Sequence, residues 1–240
     1  MKVLVADNDY MSRHIISQTL SQTSLELQWV ATDEQAWERL NSADPPRLLM
    51  LSTKLPDLDA AEICQRIRES ADPHYSYIIL MMPQSNKPIL LTALEAGADD
   101  YLTKPLNVDE LLARLRIARR ILEKEARLTK IIRQWRTMLD NLPFGVAGLG
   151  RSGELVRVNK VLLEMLGRER QDLLGKSLFS STLRRHGDIA KIRDSMRTVQ
   201  PFDWVEMELF RKDGSKRTLV VWGRPVSEGD LAFQIVTATE

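Results

Sequence analysis

The stretch Lys2-Val3-Leu4-Val5-Ala6-Asp7-Asn8-Asp9 decides the fold class of the first half of this chain. Its start is apolar without polar alternation, which is typical of a strand buried on both faces. Similar runs follow at Leu25–Val30, Leu48–Leu51, Tyr77–Met81 and Asp100–Leu102. Helix-like segments separate them at Tyr10–Leu20, Glu34–Leu40, Ala60–Ser70 and Pro88–Ala96. This alternation predicts an α/β domain over residues 1–120, with a five-stranded parallel doubly wound sheet.

Polar or chemically distinctive residues stand at or just past the ends of these strands. They are Asp7, Ser52, Met82 and Lys104. In an open parallel sheet the functional crevice lies outside the carboxyl ends of the strands. The four residues are therefore candidates for one site on position alone.

Three motifs in this half resemble the receiver (CheY-like) domain of two-component response regulators. They are Val3-Leu4-Val5-Ala6-Asp7-Asn8-Asp9, Leu48–Ser52 followed by Leu55-Pro56, and Ala96-Gly97-Ala98-Asp99-Asp100-Tyr101-Leu102-Thr103-Lys104-Pro105. The resemblance implies a phosphoacceptor aspartate after the third strand, acidic Mg²⁺ ligands after the first, a Thr or Ser after the fourth, and a lysine after the fifth. It also implies a switch aromatic, which here is Tyr101.

The chain departs from that pattern at three positions. Ser52 occupies the phosphoacceptor position, Asn8 replaces one acidic residue although Asp9 remains beside it, and Met82 replaces the hydroxyl-bearing residue. A serine hydroxyl supplies neither the carboxylate nucleophile nor a metal ligand, and methionine donates no hydrogen bond to a phosphoryl oxygen. We therefore expect a degenerate pseudo-receiver without metal, in which Lys104 pairs directly with Asp7.

Two alternatives keep phosphorylation in this domain. Asp57 or Asp59 could serve as an unusual acceptor, although both lie in the loop beyond Pro56. A serine kinase could modify Ser52 to a stable dianion. The first alternative makes the chain a phosphorylatable response regulator.

Residues 107–141 contain neither glycine nor proline and predict one long connecting helix. Apolar residues recur there at alternating four- and three-residue steps, interrupted by Lys124, which is a heptad seam. We expect the seam to form a homodimer, the alternative being that it packs on the chain's own second domain. The seam residues are Ile117, Ile121, Leu128, Ile131, Trp135, Met138 and Leu142.

The same helix is rich in basic residues. A basic helix can bind a phosphate backbone, so a nucleic-acid-binding adaptor is a second alternative function. Such charges are more often the solvated flanks of a coiled coil, and the net charge of the whole chain is only +1. We therefore expect no nucleic-acid partner. The basic residues are Arg114, Arg116, Arg119, Arg120, Lys124, Arg127, Lys130, Arg133 and Arg136.

Residues 142–240 follow an order of strands, short helices and longer strands, which predicts an α+β domain with an antiparallel sheet. The runs Met138–Val146, Gly153–Lys160, Asp172–Lys176 and Lys212–Ser215 resemble a PAS domain. The resemblance implies a sensor or dimerisation module. Met207, Phe210, Trp204 and Trp222 are candidates for lining a ligand pocket, although such residues are more often plain core. No cofactor is predicted, and the ligand is unknown.

The whole chain is thus expected to be a non-enzymatic, cytoplasmic signalling regulator with a protein partner. The single cysteine, Cys64, excludes an internal disulfide, and no apolar run is long enough to span a membrane. A related hypothesis makes the chain the regulatory part of a longer cyclic-di-GMP enzyme or kinase.

Overall fold

The computed structural model describes residues 1–21, 23–54, 60–70, 74–84, 91–92, 94–178, 184–187, 189–228 and 231–238. The chain divides into two compact units, residues 1–131 and 132–240. Each unit has hydrophobic clusters of its own.

The first unit contains a five-stranded parallel sheet, as the sequence predicted. Its strands run in the order β2-β1-β3-β4-β5, so the chain crosses over after β2 and the sheet is wound in both directions. All five residues of β3 are buried, because helices cover both faces of the sheet. The strands are β1 (Lys2–Ala6), β2 (Glu26–Val30), β3 (Leu48–Ser52), β4 (Tyr77–Pro83) and β5 (Asp100–Lys104).

Two helices of this unit begin at residues whose side chains cap them. Asp9 caps α1 (Tyr10–Leu20), and Thr32 caps α2 (Asp33–Leu40) by accepting a hydrogen bond from the backbone N–H of Gln35. The third helix is α3 (Ala60–Glu69). Of the predicted Pro88–Ala96 helix, residues 91–92 and 94–95 are helical, and residues 88–90 and 93 lie outside the described residues.

The long helix α4 (Val108–Asp140) has 33 residues and is about 50 Å long. Its N-terminal part packs on the sheet through Leu111, Leu115, Ala118 and Leu122, which repeat at three- and four-residue steps.

The second unit contains an antiparallel sheet in the order β7-β6-β11-β10-β9-β8, which confirms the predicted fold class. The short strand β8 was not predicted from the sequence. In the described part of this unit, three short helices accompany the sheet: α5 (Lys160–Leu166), α6 (Arg170–Leu173) and α7 (Ile189–Thr198). The strands are β6 (Val146–Leu149), β7 (Leu155–Val158), β8 (Arg184–Gly187), β9 (Phe202–Phe210), β10 (Lys216–Glu228) and β11 (Leu231–Ala238).

A buried asparagine connects three elements of this unit. The Asn159 side-chain oxygen caps α5 and accepts a hydrogen bond from Val146 N on β6 at 2.8 Å. Its amide nitrogen donates to the carbonyl oxygens of Leu139 at 2.9 Å and Phe144 at 3.0 Å. One side chain therefore fixes the end of α4 against the first strand of the sheet.

Candidate functional site

An ion pair fills the crevice at the carboxyl ends of β1, β3 and β5. The Lys104 ammonium lies 2.6 Å from the Asp7 carboxylate, whose side chain is fully buried. The same ammonium donates to the Ser52 hydroxyl at 3.4 Å, and Ser52 is 0% exposed. The parallel register aligns the ends of these strands, although Asp7 and Lys104 are 97 residues apart in the chain. The predicted contact between Lys104 and Asp7 is therefore present.

The second carboxylate of the crevice, that of Asp9, caps the helix that follows it in the chain. Asp9 accepts hydrogen bonds from the backbone N–H groups of Met11 and Ser12 and from the Ser12 hydroxyl at 2.6 Å. The Ser12 hydroxyl is the main cause that lowers the pKa of the Asp9 carboxyl, and Lys104, 3.7 Å away, contributes further. The sequence analysis did not single out Ser12; the available signal was Asp9 directly before a helix, which is a preferred N-cap residue.

The other residues predicted for this site occupy different environments. Met82 is buried within β4, opposite Thr103 of β5, so it lies inside the strand and not beyond its end. Asn8 is exposed. Tyr101 is half-buried and packs against the core cluster formed with α2 and α3. The possible acceptors Asp57 and Asp59 lie outside the described residues.

A second charged group links β5 to the start of α4. The Arg114 guanidinium lies 3.0 Å from the Asp100 carboxylate and 3.5 Å from that of Glu110. It also lies 5.8 Å from the centre of the Tyr101 ring. Asp100 is buried, so this arginine neutralises a carboxylate that would otherwise be costly to enclose.

The donor set of the crevice does not suit the Mg²⁺ ion that the receiver resemblance implies. One oxygen of Asp7 faces Lys104 and the other accepts from Asp9 N at 3.1 Å, while Asp9 caps α1. Mg²⁺ requires anionic oxygens in near-octahedral geometry, and a lysine ammonium is a competing cation at the same carboxylate. Within the described ranges, no group of three His, Cys, Asp or Glu side chains is placed to hold a metal ion.

The four residues predicted to line a PAS pocket differ in their exposure. Met207 lies in the core of the second unit, but Trp204 is 70% exposed. A register shift in β9 places Asp203 and Trp204 opposite the single residue Trp222, and the side chains of both residues in this bulge are exposed. Trp222 and Phe210 are half-buried and alternate with inward-facing neighbours. Of the four residues, Met207 is therefore enclosed in the core and Trp204 faces outward.

The seam residues of α4 divide into two groups. Ile117 and Ile121 are half-buried, and Ile121 packs against the core of the first unit. Farther along, apolar side chains are exposed on one face at heptad spacing. They are Leu128, Ile131, Trp135 and Met138, with Ile132 and Leu139 beside them.

Comparisons with known proteins agree with the two folds. Residues 3–116 match the family model of the response regulator receiver domain, and residues 133–236 match that of the PAS fold. No helix in the described parts of the chain combines the length and apolarity needed to cross a membrane.

The chain is 31% identical over 167 residues to response regulator MprA of Mycobacterium bovis, covering 69% of this chain and 71% of that protein. It is 30% identical over 167 residues to MprA of Mycobacterium avium, covering 69% and 72%. Among solved structures, response regulator DrrB of Thermotoga maritima is similar, with 35% identity, a TM-score of 0.42, and coverage of 52% of this chain and 53% of that one. The chain therefore belongs to the response regulators of two-component-type signalling, with a receiver domain followed by a PAS domain.

Proposed function

We propose that this response regulator acts without phosphorylation of its receiver domain. The observation that carries the proposal is the Lys104–Asp7 ion pair at 2.6 Å, next to a fully buried serine at the phosphoacceptor position. Aspartyl phosphorylation of a receiver domain needs a carboxylate nucleophile that is aligned with a metal-bound phosphoryl donor. Ser52 is neutral, and its hydroxyl oxygen already accepts hydrogen bonds from Lys104 and from the backbone N–H of Lys54.

The switch that normally reads the phosphoryl group is also altered. Met82 has no hydroxyl to bond a phosphoryl oxygen, so phosphate in the crevice would lack the contact that repositions Tyr101. In this proposal Tyr101 is held by its packing and by Arg114, independently of any event at Ser52. The receiver domain then keeps a single conformation, and it signals by contact with other proteins.

The second part of the proposal is homodimerisation through α4. The exposed apolar face of Leu128, Ile131, Trp135 and Met138 lies on a different side of the helix from the buried Leu122. Heptad spacing is self-complementary, so a second copy of the same helix matches this face residue by residue. In the dimer, α4 would connect each receiver domain to its PAS domain. The PAS domains would sense a ligand or pair with each other.

The experiment is incubation of the protein with acetyl phosphate and Mg²⁺, followed by intact-mass measurement. We expect no mass gain for the natural sequence. A variant that carries Asn8→Asp, Ser52→Asp and Met82→Thr restores the missing groups and should gain one phosphoryl group. Phosphorylation of this variant would show that the reagent is active and that the receiver domain is folded.

A stable phosphoryl adduct on the natural sequence would contradict the proposal. Peptide mapping would then distinguish Asp57 or Asp59 from Ser52, and an aspartyl adduct would favour the phosphorylatable alternative.

A further inference from the structure

The central part of α4 depends on its two ends for support. From Glu123 to Leu139 none of its residues is buried, and all except Glu125 and Thr129 are exposed. An isolated helix of roughly this length is only marginally stable in water, because forming its first turn is costly. On the N-terminal side the helix is fixed by the burial of Leu122 in the receiver core. On the C-terminal side it is fixed by polar contacts.

The side chain of Asn159 provides the main contact at that end. It is 4% exposed, and its amide nitrogen donates to the carbonyl oxygens of Leu139 and Phe144. Its oxygen accepts hydrogen bonds from the backbone N–H groups of Val146 and Leu162, and the second of these caps α5. Both donors and both acceptor positions of the side chain are therefore in use. Because one side chain holds the two helix ends, α5 cannot move away without losing the contact to α4.

Two further contacts connect α5 to the same junction. At the start of α5, the backbone N–H of Lys160 donates to the Asp140 carboxylate at 2.8 Å. Near its end, the Met165 sulfur accepts a hydrogen bond from the Thr237 hydroxyl at 3.5 Å. The same hydroxyl oxygen accepts from the backbone N–H of Gly145 at 2.9 Å. Both ends of α5 are thus linked to the end of α4 or to the segment that follows it.

The other side of α5 packs into the core of the second unit. Leu162, Met165 and Leu166 belong to the hydrophobic cluster that the inner residues of the sheet complete. Protein interiors are close-packed and transmit strain, so a change in the space beneath α5 displaces the helix. Such a displacement acts directly on Asn159, which is the residue that caps α5.

We infer that Asn159 is a positioning residue that couples the place of α5 in the PAS core to the helicity of the exposed part of α4. When α5 shifts, the bond to the Leu139 carbonyl breaks and the last turn of α4 loses its cap. The helix then frays toward Leu128, because none of the side chains in this stretch is buried. The PAS core thereby controls whether Trp135 and Met138 stand on a helical face. This inference goes beyond the proposed dimer and applies to a single chain.

The experiment is hydrogen–deuterium exchange of the full chain in dilute solution, measured by mass spectrometry. Asn159→Asp keeps the oxygen that caps α5 but removes both donors to the end of α4. We expect exchange of the α4 amides to rise by roughly fivefold, the usual effect of one lost hydrogen bond, while α5 stays protected. The rise should be largest at Trp135–Asp140 and should decline toward Leu128. Asn159→Ser also keeps a helix cap and should act in the same direction.

A substitution beneath α5 tests the coupling itself. Met165→Ala opens space under α5, and it should raise the exchange of α4 in the natural sequence. The same substitution should add little in the Asn159→Asp background, because the contact to α4 is already lost there. The matched control is Leu219→Ala, which opens space in the same core beneath β10 and should leave the exchange of α4 unchanged.

Three results would overturn the inference. The first is unchanged exchange of α4 in both Asn159 variants. The second is a rise with Leu219→Ala as large as that with Met165→Ala, which would indicate general loosening of the second unit. The third is an equal effect of Met165→Ala with and without Asn159. A natural chain that stays monomeric contradicts the proposed dimer alone, since the exchange experiment measures the helix within one chain.

Discussion

Lys104 is the residue whose removal most directly tests the crevice. Asp7 is only 4% exposed, and Lys104 is the cation that contacts it among the described side chains. Lys104→Met leaves a buried carboxylate without its partner, and we expect a loss of about 3 kcal/mol in the free energy of unfolding. Urea denaturation at neutral pH measures this loss.

The matched control is an exposed lysine pair in the same domain. Lys2→Met removes a 2.7 Å pair with the exposed Asp44 and should cost much less than Lys104→Met, because solvent screens an exposed ion pair. The double variant Asp7→Asn with Lys104→Met should recover part of the loss, because no charge remains buried. Equal effects of Lys104→Met and Lys2→Met would show that the crevice pair is not buried as described.

The hydrogen bond between Ser12 and Asp9 predicts how the stability of the fold depends on pH. The folded-state pKa of Asp9 lies below its ordinary value of about 3.9, chiefly because of the Ser12 hydroxyl. A depressed pKa stabilises the fold above the unfolded value, and this contribution is lost as the pH falls through the folded pKa. Ser12→Ala should therefore raise the pKa of Asp9 and reduce stability at pH 7, while in strong acid the two proteins should differ less.

An NMR titration of the Asp9 carboxyl measures the pKa, and urea denaturation at several pH values measures the stability. Ser17→Ala changes an exposed serine on the same helix and should leave both unchanged. An Asp9 pKa that Ser12→Ala does not raise would contradict the assignment of the Ser12 hydrogen bond.

At the scale of the element, the end of α7 is strained. Val199 has φ of 55° and is 64% exposed, directly after the last residue of the helix. A β-branched residue is unfavourable in the left-handed region, where glycine has no steric penalty. Val199→Gly should therefore stabilise the second unit by about 1 kcal/mol, measured by thermal unfolding.

The control for this change lies two residues earlier. Arg197→Gly places glycine inside the helix, where its conformational freedom destabilises by about 1 kcal/mol. Destabilisation by both substitutions would mean that Val199 is not in the left-handed conformation.

At the scale of the whole molecule, the exposed face of α4 predicts the oligomeric state. Leu128 is 53% exposed at the centre of the seam, so Leu128→Glu would place a charge in the proposed dimer interface. We expect this substitution to weaken the dimer Kd by about a hundredfold, measured by sedimentation equilibrium. Ala126→Glu adds the same charge at an exposed position on another face and should leave the Kd within about threefold.

A seam that packed on the chain's own PAS domain would behave differently. In that case Leu128→Glu would lower the stability of the monomer, and the natural sequence would show no concentration-dependent association. Thermal unfolding of the monomer, measured with the sedimentation data, separates the two arrangements.

The sequence alone determined the fold classes, because the apolar runs and their spacing are local features. It also placed Ser52, Met82 and Lys104 near the ends of neighbouring strands, since parallel strands end at one edge of a sheet. Tyr10–Leu20 was predicted with the bounds that the structure has. The ends of the strands were predicted less accurately. Met82 was placed at the end of its strand, but it lies inside β4 because the pairing with β5 continues to Pro83.

The tertiary structure decided which side of an element each side chain faces. Trp204 points outward because β9 contains one extra residue opposite β10. No local sequence pattern predicts such a register shift. Ile121 and Leu128 share one heptad position, yet only Ile121 packs on the receiver core, which ends before Leu128. Contacts such as Asp7 with Lys104 depend on register between distant segments, and their distances and burial follow only from the folded sheet.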